Sequence, residues 1–153
     1  MIKYLGSKRT LIPVILETVR GSGGGTSVID LFSGTSRVGH ALKRAGYQVH
    51  SNDVNAYAAT LARCYVQADA NELVKDAQRL VQEFNAIPGA AGYFTETFCV
   101  QSRFFQPKNG ARVDAVREAI VKKNLSEELE SVMLVSLMEA ADRVDSTTGV
   151  QMA

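Results

Sequence analysis

The stretch Val28-Ile29-Asp30-Leu31-Phe32-Ser33-Gly34-Thr35 decides the fold class of this chain. Its apolar residues predict a buried strand, and Ser33-Gly34-Thr35 predicts a turn where that strand ends. A helical pattern over 36–45 and a second strand near 47–50 follow, and the second strand leads into Asn52-Asp53. A strand, a glycine turn, a helix and a second strand ending in a carboxylate form the layout of a nucleoside-binding α/β unit.

The same turn restricts the kind of ligand. A dinucleotide site needs the pattern G-x-G-x-x-G, so that bare backbone can close on a pyrophosphate. Here the single glycine Gly34 stands between Ser33 and Thr35. A nucleoside without phosphates, such as S-adenosyl-L-methionine (SAM), fits better, because its sulfonium and ribose favour carboxylates and a close backbone over an anion site.

Three residues of this unit are candidates for ligand binding. Asp30 lies in an apolar strand, where a carboxylate is costly unless it is paired or faces a cation such as a sulfonium-bearing amino acid; the alternative is a helix cap. Asp53 stands where an acid can accept both ribose hydroxyls; the alternative is an N-cap for a helix starting at Val54. Gly34 either leaves room for a ligand or serves a turn that needs positive φ.

Composition places the chain among single globular domains. It has 153 residues, 46% hydrophobic and 22% charged, with a net charge of +1. This charge neither requires nor excludes nucleic acid. Cys64 and Cys99 lack the spacing of a disulfide framework or a zinc site. Because no signal peptide or membrane-length apolar window is present, we expect a cytoplasmic protein without a membrane partner.

The remaining patterns are mostly helical. Helices are predicted over 8–20, 54–66, 71–84, 113–123 and 126–144, and the segment 93–112 is expected to be mostly loop with a short strand or helix. Two strands are predicted and a third is only weakly indicated. A doubly wound sheet normally has five or more strands, so the chain is not expected to be a whole enzyme domain.

A basic segment lies in the second half of the chain. From Ser102 to Lys123 there are six basic residues and two acidic ones, Asp114 and Glu118. Arginine and lysine side chains could hold phosphates there while neighbouring aromatic rings stack on bases. The alternative is a solvated helix face.

The N-terminal segment Lys3-Tyr4-Leu5-Gly6-Ser7-Lys8 precedes the first predicted helix. It lacks the frame of a phosphate-binding P-loop. A lysine near a helix start could instead hold a ligand carboxylate, with Tyr4 offering a ring, and the alternative is a solvated tail.

Four segments together resemble the Dam-type adenine-specific DNA methyltransferases over essentially the whole chain. They are 3–8, Asp30 to Gly34, 51–55 and the aromatic and basic segment from Tyr93 to Arg117, and they occur in the family's order. The resemblance implies a partial Rossmann-like SAM-dependent methyltransferase sheet with a largely helical insertion. It also implies SAM as cofactor, double-stranded DNA as partner, and methyl transfer to the exocyclic amino group of adenine.

The resemblance also assigns residues and regions. The cofactor-binding positions are Tyr4, Lys8, Asp30, Phe32, Gly34 and Asp53, with Tyr4 replacing the family's more familiar tryptophan. The DNA-contacting positions are Arg103, Lys108, Arg112 and Arg117, whose individual roles are not separated. Residues 1–92 would be the N-terminal part of the SAM-binding domain, and residues 93–153 part of the target-recognition region. No metal ligand is implied.

One feature of the family is absent from the sequence. Its catalytic motif is an acidic or amide residue followed by two prolines and an aromatic residue, whereas Pro13, Pro88 and Pro107 are never adjacent. No catalytic residue is therefore assigned. We expect an N-terminal portion that is inactive alone and whose sheet edges are covered by the missing C-terminal half or another copy. The alternatives are a non-catalytic DNA-binding or assembly subunit completed by another chain, and a methyltransferase acting on RNA or a small molecule.

Overall fold

The computed structural model describes residues 8–146, with the exception of the Arg9 side chain. The described chain divides into two compact units, 8–69 and 70–146. The functional boundary between residues 92 and 93 stays a prediction. Within the described range no helix is long and apolar enough to cross a membrane, and no group of side chains could hold a metal ion.

The first unit, residues 8–69, contains the predicted strand, helix and strand. Its elements in order are a 3₁₀ turn Lys8–Leu11, α1 Ile12–Gly21, β1 Ser27–Asp30, α2 Arg37–Arg44, β2 Gln48–Ser51, α3 Ala56–Ala62 and a π-helical turn Arg63–Gln67. The prediction of one βαβ unit is confirmed. β1 ends at Asp30 rather than at residue 32, because the chain turns at Leu31 and Phe32.

The two strands form a parallel sheet with α2 on one side. The register runs from Ser27 opposite Gln48 to Asp30 opposite Ser51. Gly39 of α2 lets the helix approach closely, since a Cβ there would lie only 3.1 Å from the Ser51 Oγ. The strands alternate between half-buried and exposed positions, so that Asp30 and Ser51 face α2. On the other face Ile29 is 64% exposed.

The second unit, residues 70–146, is helical. It contains α4 Ala70–Ala86, a π-helical segment Thr95–Gln101, α5 Pro107–Lys122 and α6 Glu127–Asp142. The prediction of a mostly loop segment over 93–112 was wrong, because 95–101 is helical and α5 begins at Pro107. Proline fits the first turn of a helix, where its missing N–H costs no hydrogen bond.

The core of the second unit lies between α4, α5 and α6. Its buried cluster consists of Leu80, Phe84, Ile120, Leu129 and Met133. An open, mostly apolar cavity of about 340 Å³ lies between the same three helices. The helical unit thus buries a continuous apolar core from its own residues.

Candidate functional site

The glycine turn after β1 has the backbone conformation that its sequence requires. Gly34 has φ +49°, in the left-handed region that glycine adopts without strain. Among the described residues other than Gly34 and its two chain neighbours, no atom lies within 4 Å of the place where a Cβ would stand. The positive φ agrees with the interpretation of Gly34 as a turn residue. The open space beside it also agrees with the interpretation that Gly34 leaves room for a ligand.

Asp53 connects this turn to the end of β2. Its Oδ2 accepts a hydrogen bond from the Gly34 backbone N–H at 2.9 Å, and its Oδ1 accepts one from the Asn55 N–H at 3.0 Å. The carboxylate therefore fixes the distance between the two loops that follow the parallel strands.

The interpretation of Asp53 as a helix N-cap is wrong. Helix α3 begins at Ala56, and its N-cap is Asn55, whose side-chain oxygen accepts from the Tyr57 N–H at 2.9 Å. The backbone N–H groups of Asn55 and Gly34 lower the pKa of the Asp53 carboxyl below its ordinary value. A carboxylate has about four lone-pair sites, so this half-buried, ionised group retains capacity for further donors.

Backbone hydrogen bonds hold the same two loops together. The Asn52 N–H donates to the Asp30 carbonyl at 2.8 Å, and the Ser33 N–H donates to the Asn52 carbonyl at 3.0 Å. The Asn52 side-chain amide donates to the Leu31 carbonyl at 3.0 Å. Asn52 thus continues the β1 and β2 pairing into the loops and places Asp30, Gly34 and Asp53 at one end of the sheet.

Several buried oxygens at this end of the sheet have no hydrogen-bond partner within the described structure. They are Asp30 Oδ2, Ser33 Oγ, Ser36 Oγ and Ser51 Oγ. Leaving a buried polar group unpaired costs about 1–3 kcal/mol, more for a charged one. Their grouping around the β1–α2 turn marks this end of the sheet as the candidate site.

Ser36 and Ser51 were not predicted as site residues. Ser36 is fully buried, has φ +55° and stands at the N-cap of α2 without making a capping bond. Serine rarely adopts this conformation, and strained residues of this kind gather at functional sites. The sequence signal that could have found Ser36 is its place two residues after Gly34, where a second glycine would suit the backbone.

Two of the other predicted cofactor residues, Phe32 and Lys8, lie on the surface of the first unit. The Phe32 side chain is 80% exposed beside the turn. Lys8 is exposed and begins the 3₁₀ turn, which packs against α2. Tyr4 lies outside the described residues.

The predicted DNA-contacting residues lie on or beside α5. Lys108 and Arg117 are exposed on that helix, and Arg103 is exposed in the preceding turn with φ +58°. The Arg112 guanidinium donates to the carbonyls of Phe84 at 3.2 Å and Asn85 at 3.1 Å, near the end of α4. Arg112 therefore has a structural role in addition to any contact with DNA.

Asp114 on α5 is the centre of a hydrogen-bond network that the sequence analysis does not predict. Its Oδ2 accepts from the Gly92 N–H at 2.8 Å, the Thr95 N–H at 2.8 Å and the Thr95 hydroxyl at 2.6 Å. Its Oδ1 accepts from the Phe94 N–H at 2.9 Å. Burial raises the pKa of the Asp114 carboxyl, but the hydrogen bonds from Thr95, Phe94 and Gly92 outweigh it and hold the pKa below its ordinary value.

The first unit is thus an α/β unit with a glycine turn and two carboxylates at the carboxyl ends of parallel strands, and the second is a helical unit with exposed basic residues on α5. The chain belongs to the family described as D12 class N6 adenine-specific DNA methyltransferases, whose model matches residues 4–153. The family resemblance inferred from the sequence is confirmed.

Two curated relatives match almost the whole chain. The type II methyltransferase M.NlaIII of Neisseria lactamica is 32% identical over 97% of this chain and 48% of its own length. The type II methyltransferase M.CviAII of Paramecium bursaria Chlorella virus 1 is 28% identical over 97% of this chain and 48% of its own length. The chain therefore spans about half the length of these relatives. No solved structure gives a significant match.

Proposed function

We propose that this chain is the SAM-binding and DNA-contacting part of an enzyme that methylates the exocyclic amino group of adenine in double-stranded DNA. The observation that carries the proposal is the ionised Asp53 carboxylate, tied to the Gly34 amide where the parallel strands end. Membership of the adenine-specific DNA methyltransferase family supplies the reaction and the substrate class. The sheet would be part of a Rossmann-like domain.

The residues of the first unit fit such a cofactor. Asp53 has lone pairs left for the two ribose hydroxyls. The buried Asp30 Oδ2, unpaired within the described residues, suits the cationic amino-acid part of SAM. The open space beside Gly34 admits the close approach of a ligand to the backbone. Bound SAM would supply the electrophilic methyl group.

Three further positions come from the family resemblance. Lys8 would hold the carboxylate of the cofactor, and Phe32 and Tyr4 would offer rings to it. The exposure of Phe32 and Lys8 leaves both side chains accessible to a ligand.

The second unit would contact DNA through its exposed basic side chains. Arg103, Lys108 and Arg117 would bind phosphates, which carry most of the sequence-independent affinity for DNA. Arg112 would contribute less, because its guanidinium is already bonded to two carbonyl groups of its own unit.

We expect the chain alone to bind SAM weakly and to transfer no methyl group, since its three prolines do not form the family's catalytic motif. On the sheet face away from α2, Ile29 is 64% exposed, and Leu31, just after β1, is 60% exposed. Such apolar surface on a two-stranded sheet is normally covered. In the active enzyme the remaining half of the protein, or another copy of the chain, would cover it.

Calorimetric titration with SAM tests the cofactor assignment. Asp53→Ala should weaken SAM binding at least about tenfold, as expected for loss of one charge-assisted hydrogen-bonding group. Glu17→Ala, which removes an exposed carboxylate of α1, is the matched control and should bind like the wild type. Equal SAM affinity in all three proteins would refute the assignment.

Transfer of a labelled methyl group from SAM to duplex DNA tests the second part of the proposal. The purified chain should give no labelled DNA, and labelling above background would contradict its expected inactivity. DNA binding without any SAM binding would favour the alternative of a non-catalytic DNA-binding subunit.

A further inference from the structure

An exposed aromatic ring stands at the edge of the helical unit. The Tyr93 side chain is 76% exposed, which is high for a residue type of intermediate average burial. Its ring meets the Phe98 ring edge to face, with 6.2 Å between centroids and an interplanar angle of 86°. Phe98 in turn packs on Phe94 at 4.9 Å, and Phe94 packs on Phe105 at 5.0 Å. Tyr93 is therefore the outermost member of a row of four rings.

Asp114 fixes the backbone on both sides of Tyr93. Its carboxylate accepts from the N–H of Gly92, which precedes Tyr93, and from the N–H of Phe94, which follows it. Two more bonds, from the Thr95 N–H and hydroxyl, secure the next residue. Four hydrogen bonds to the Asp114 carboxylate thus hold the backbone from Gly92 to Thr95. This fixed segment carries the exposed Tyr93 ring.

A cationic residue lies close to the same row of rings along the chain. Arg103 is exposed and has φ +58°, a conformation that costs a non-glycine residue free energy. The turn is held because the N–H groups of Phe104 and Phe105 both donate to the Phe98 carbonyl, at 2.9 and 3.3 Å. Phe98 therefore supports Tyr93 through its ring and the Arg103 turn through its backbone.

We propose that Tyr93 stacks on a nucleobase of bound DNA and that Asp114 is the residue that positions it. The inference rests on the proposed DNA binding of the second unit. Exposed aromatic rings bind base faces with little dependence on sequence. A ring whose backbone is already fixed loses little conformational entropy on binding. The base face becomes available when a neighbouring nucleotide leaves the stack, as enzymes that modify a base require.

A pair of DNA duplexes tests the stacking role. One is fully paired, and the other has a single abasic position, which leaves a base face open. The wild-type chain should bind the abasic duplex more tightly in fluorescence anisotropy. Tyr93→Ala should lower affinity for the abasic duplex about 5- to 100-fold, in line with measured base–aromatic stacking, and abolish the preference. Tyr93→Phe should keep it, and Val100→Ala, which trims an exposed apolar side chain of the same segment, should behave like wild type.

Salt dependence separates stacking from phosphate contact. Tyr93→Ala should lower the affinity for the abasic duplex by the same factor at every salt concentration. Lys108→Ala should instead reduce the slope of affinity against salt by about one, because a phosphate contact releases a counterion.

A double-mutant cycle tests the positioning role of Asp114. Asp114→Asn should weaken binding to the abasic duplex, and Tyr93→Ala combined with Asp114→Asn should bind no more weakly than Tyr93→Ala alone. Losses that add would refute the positioning role, because Asp114 would then affect binding without acting through Tyr93. Glu118→Gln on the same helix is the matched control.

Parallel titration with S-adenosylhomocysteine separates failure of this inference from failure of the proposed function. If the cofactor product binds and Tyr93→Ala retains full affinity for both duplexes, the stacking role is refuted and the cofactor assignment stands. If the cofactor product binds but wild-type chain binds neither duplex, the inference is refuted as well. If neither ligand binds, both proposals fall.

Discussion

The two units of this chain differ in how well they satisfy their own polar groups. Within the described residues, the buried side-chain oxygens without a partner all lie between Asp30 and Ser51 of the first unit. The second unit instead gives Asp114 four hydrogen bonds and closes an apolar core around Leu80. Within the described residues, the first unit thus leaves buried oxygens unpaired near its candidate site, whereas the second unit pairs its central carboxylate and packs its core.

The difference indicates where stability and function reside. The helical unit should respond to core and hydrogen-bond mutations as ordinary folded proteins do. The α/β unit should be limited by strain and unpaired polar groups, which persist at binding sites because a ligand relieves them. Four comparisons of variants, from the largest expected effect to the smallest, would break or sharpen this contrast.

Leu80→Ala should have the largest effect. Leu80 is completely buried in the helical core, and such truncations cost about 2–5 kcal/mol of unfolding free energy. Urea denaturation followed by circular dichroism measures the loss. The adjacent Val81→Ala, at a surface position that is 40% exposed, should cost far less. Equal losses at the two positions would contradict a closed core around Leu80.

Asp114→Asn should come next. An amide cannot accept all four hydrogen bonds, so we expect a loss of about 1–3 kcal/mol in unfolding free energy at neutral pH. Glu118→Gln should cost almost nothing, because its side chain is exposed.

The pH dependence of Asp114→Asn gives a second measurement. The pKa of Asp114 is lowered in the folded state, so its stabilisation is fully present above the unfolded pKa of about 3.9 and is lost as pH falls through the folded value. The difference in unfolding free energy between wild type and Asp114→Asn should be constant from pH 5 to pH 7. This window begins about one unit above the unfolded pKa. The difference should shrink at more acid pH, and a difference that grew there would rule out the assigned direction.

Gly34→Ala should destabilise the first unit by about 1–2 kcal/mol, because alanine must adopt a positive φ at the turn. Gly21→Ala is the matched control, since Gly21 ends α1 in open space without a positive φ and should be neutral or slightly stabilising. Amide hydrogen exchange of residues 27–51 reports the loss locally. An unaffected Gly34→Ala variant would mean that the turn is not rigid.

Two N-cap serines give the smallest contrast. Ser36→Gly in the first unit should stabilise by about 0.5–1 kcal/mol, because it removes a left-handed serine with an unpaired hydroxyl. Ser126→Gly in the second unit should lower the unfolding free energy by a few tenths of a kcal/mol, roughly the cost of this change at an N-cap. The reason is that the Ser126 hydroxyl accepts a hydrogen bond from the Leu129 N–H. Thermal unfolding should show a higher midpoint temperature for Ser36→Gly and a lower one for Ser126→Gly than for wild type. A change in the same direction in both variants would contradict the proposed difference between the two units.

The sequence predicted the first unit better than the second for a physical reason. The strand, turn and helix around Gly34 are set by residues that are neighbours in the chain, and the apolar pattern and the glycine are visible there. The Asp114 network joins α5 to backbone N–H groups of Gly92, Phe94 and Thr95, which carry no sequence signal of their own. The segment 93–112, which contains Pro107, is predicted from the sequence to be mostly loop, although proline can equally begin a helix such as α5.

The candidate site was predicted in part for the same reason. Asp30, Gly34 and Asp53 were chosen from their order along the chain, and the structure places all three where the strands end. The unpaired hydroxyls of Ser36 and Ser51 depend on how α2 packs over the sheet, with Gly39 close to Ser51. Such packing across separate elements cannot be inferred from local pattern alone.

The most direct test of this account is a two-dimensional NMR titration of the labelled chain with S-adenosylhomocysteine. The account predicts that the amide signals of residues 30–36 and 52–55 shift, with Gly34 and Asn55 among the largest because both donate to Asp53. The amides held by Asp114, those of Gly92, Phe94 and Thr95, should stay in place. No shifts at all, or shifts confined to residues 92–114, would contradict the claim that the β1 turn and Asp53 form the cofactor site.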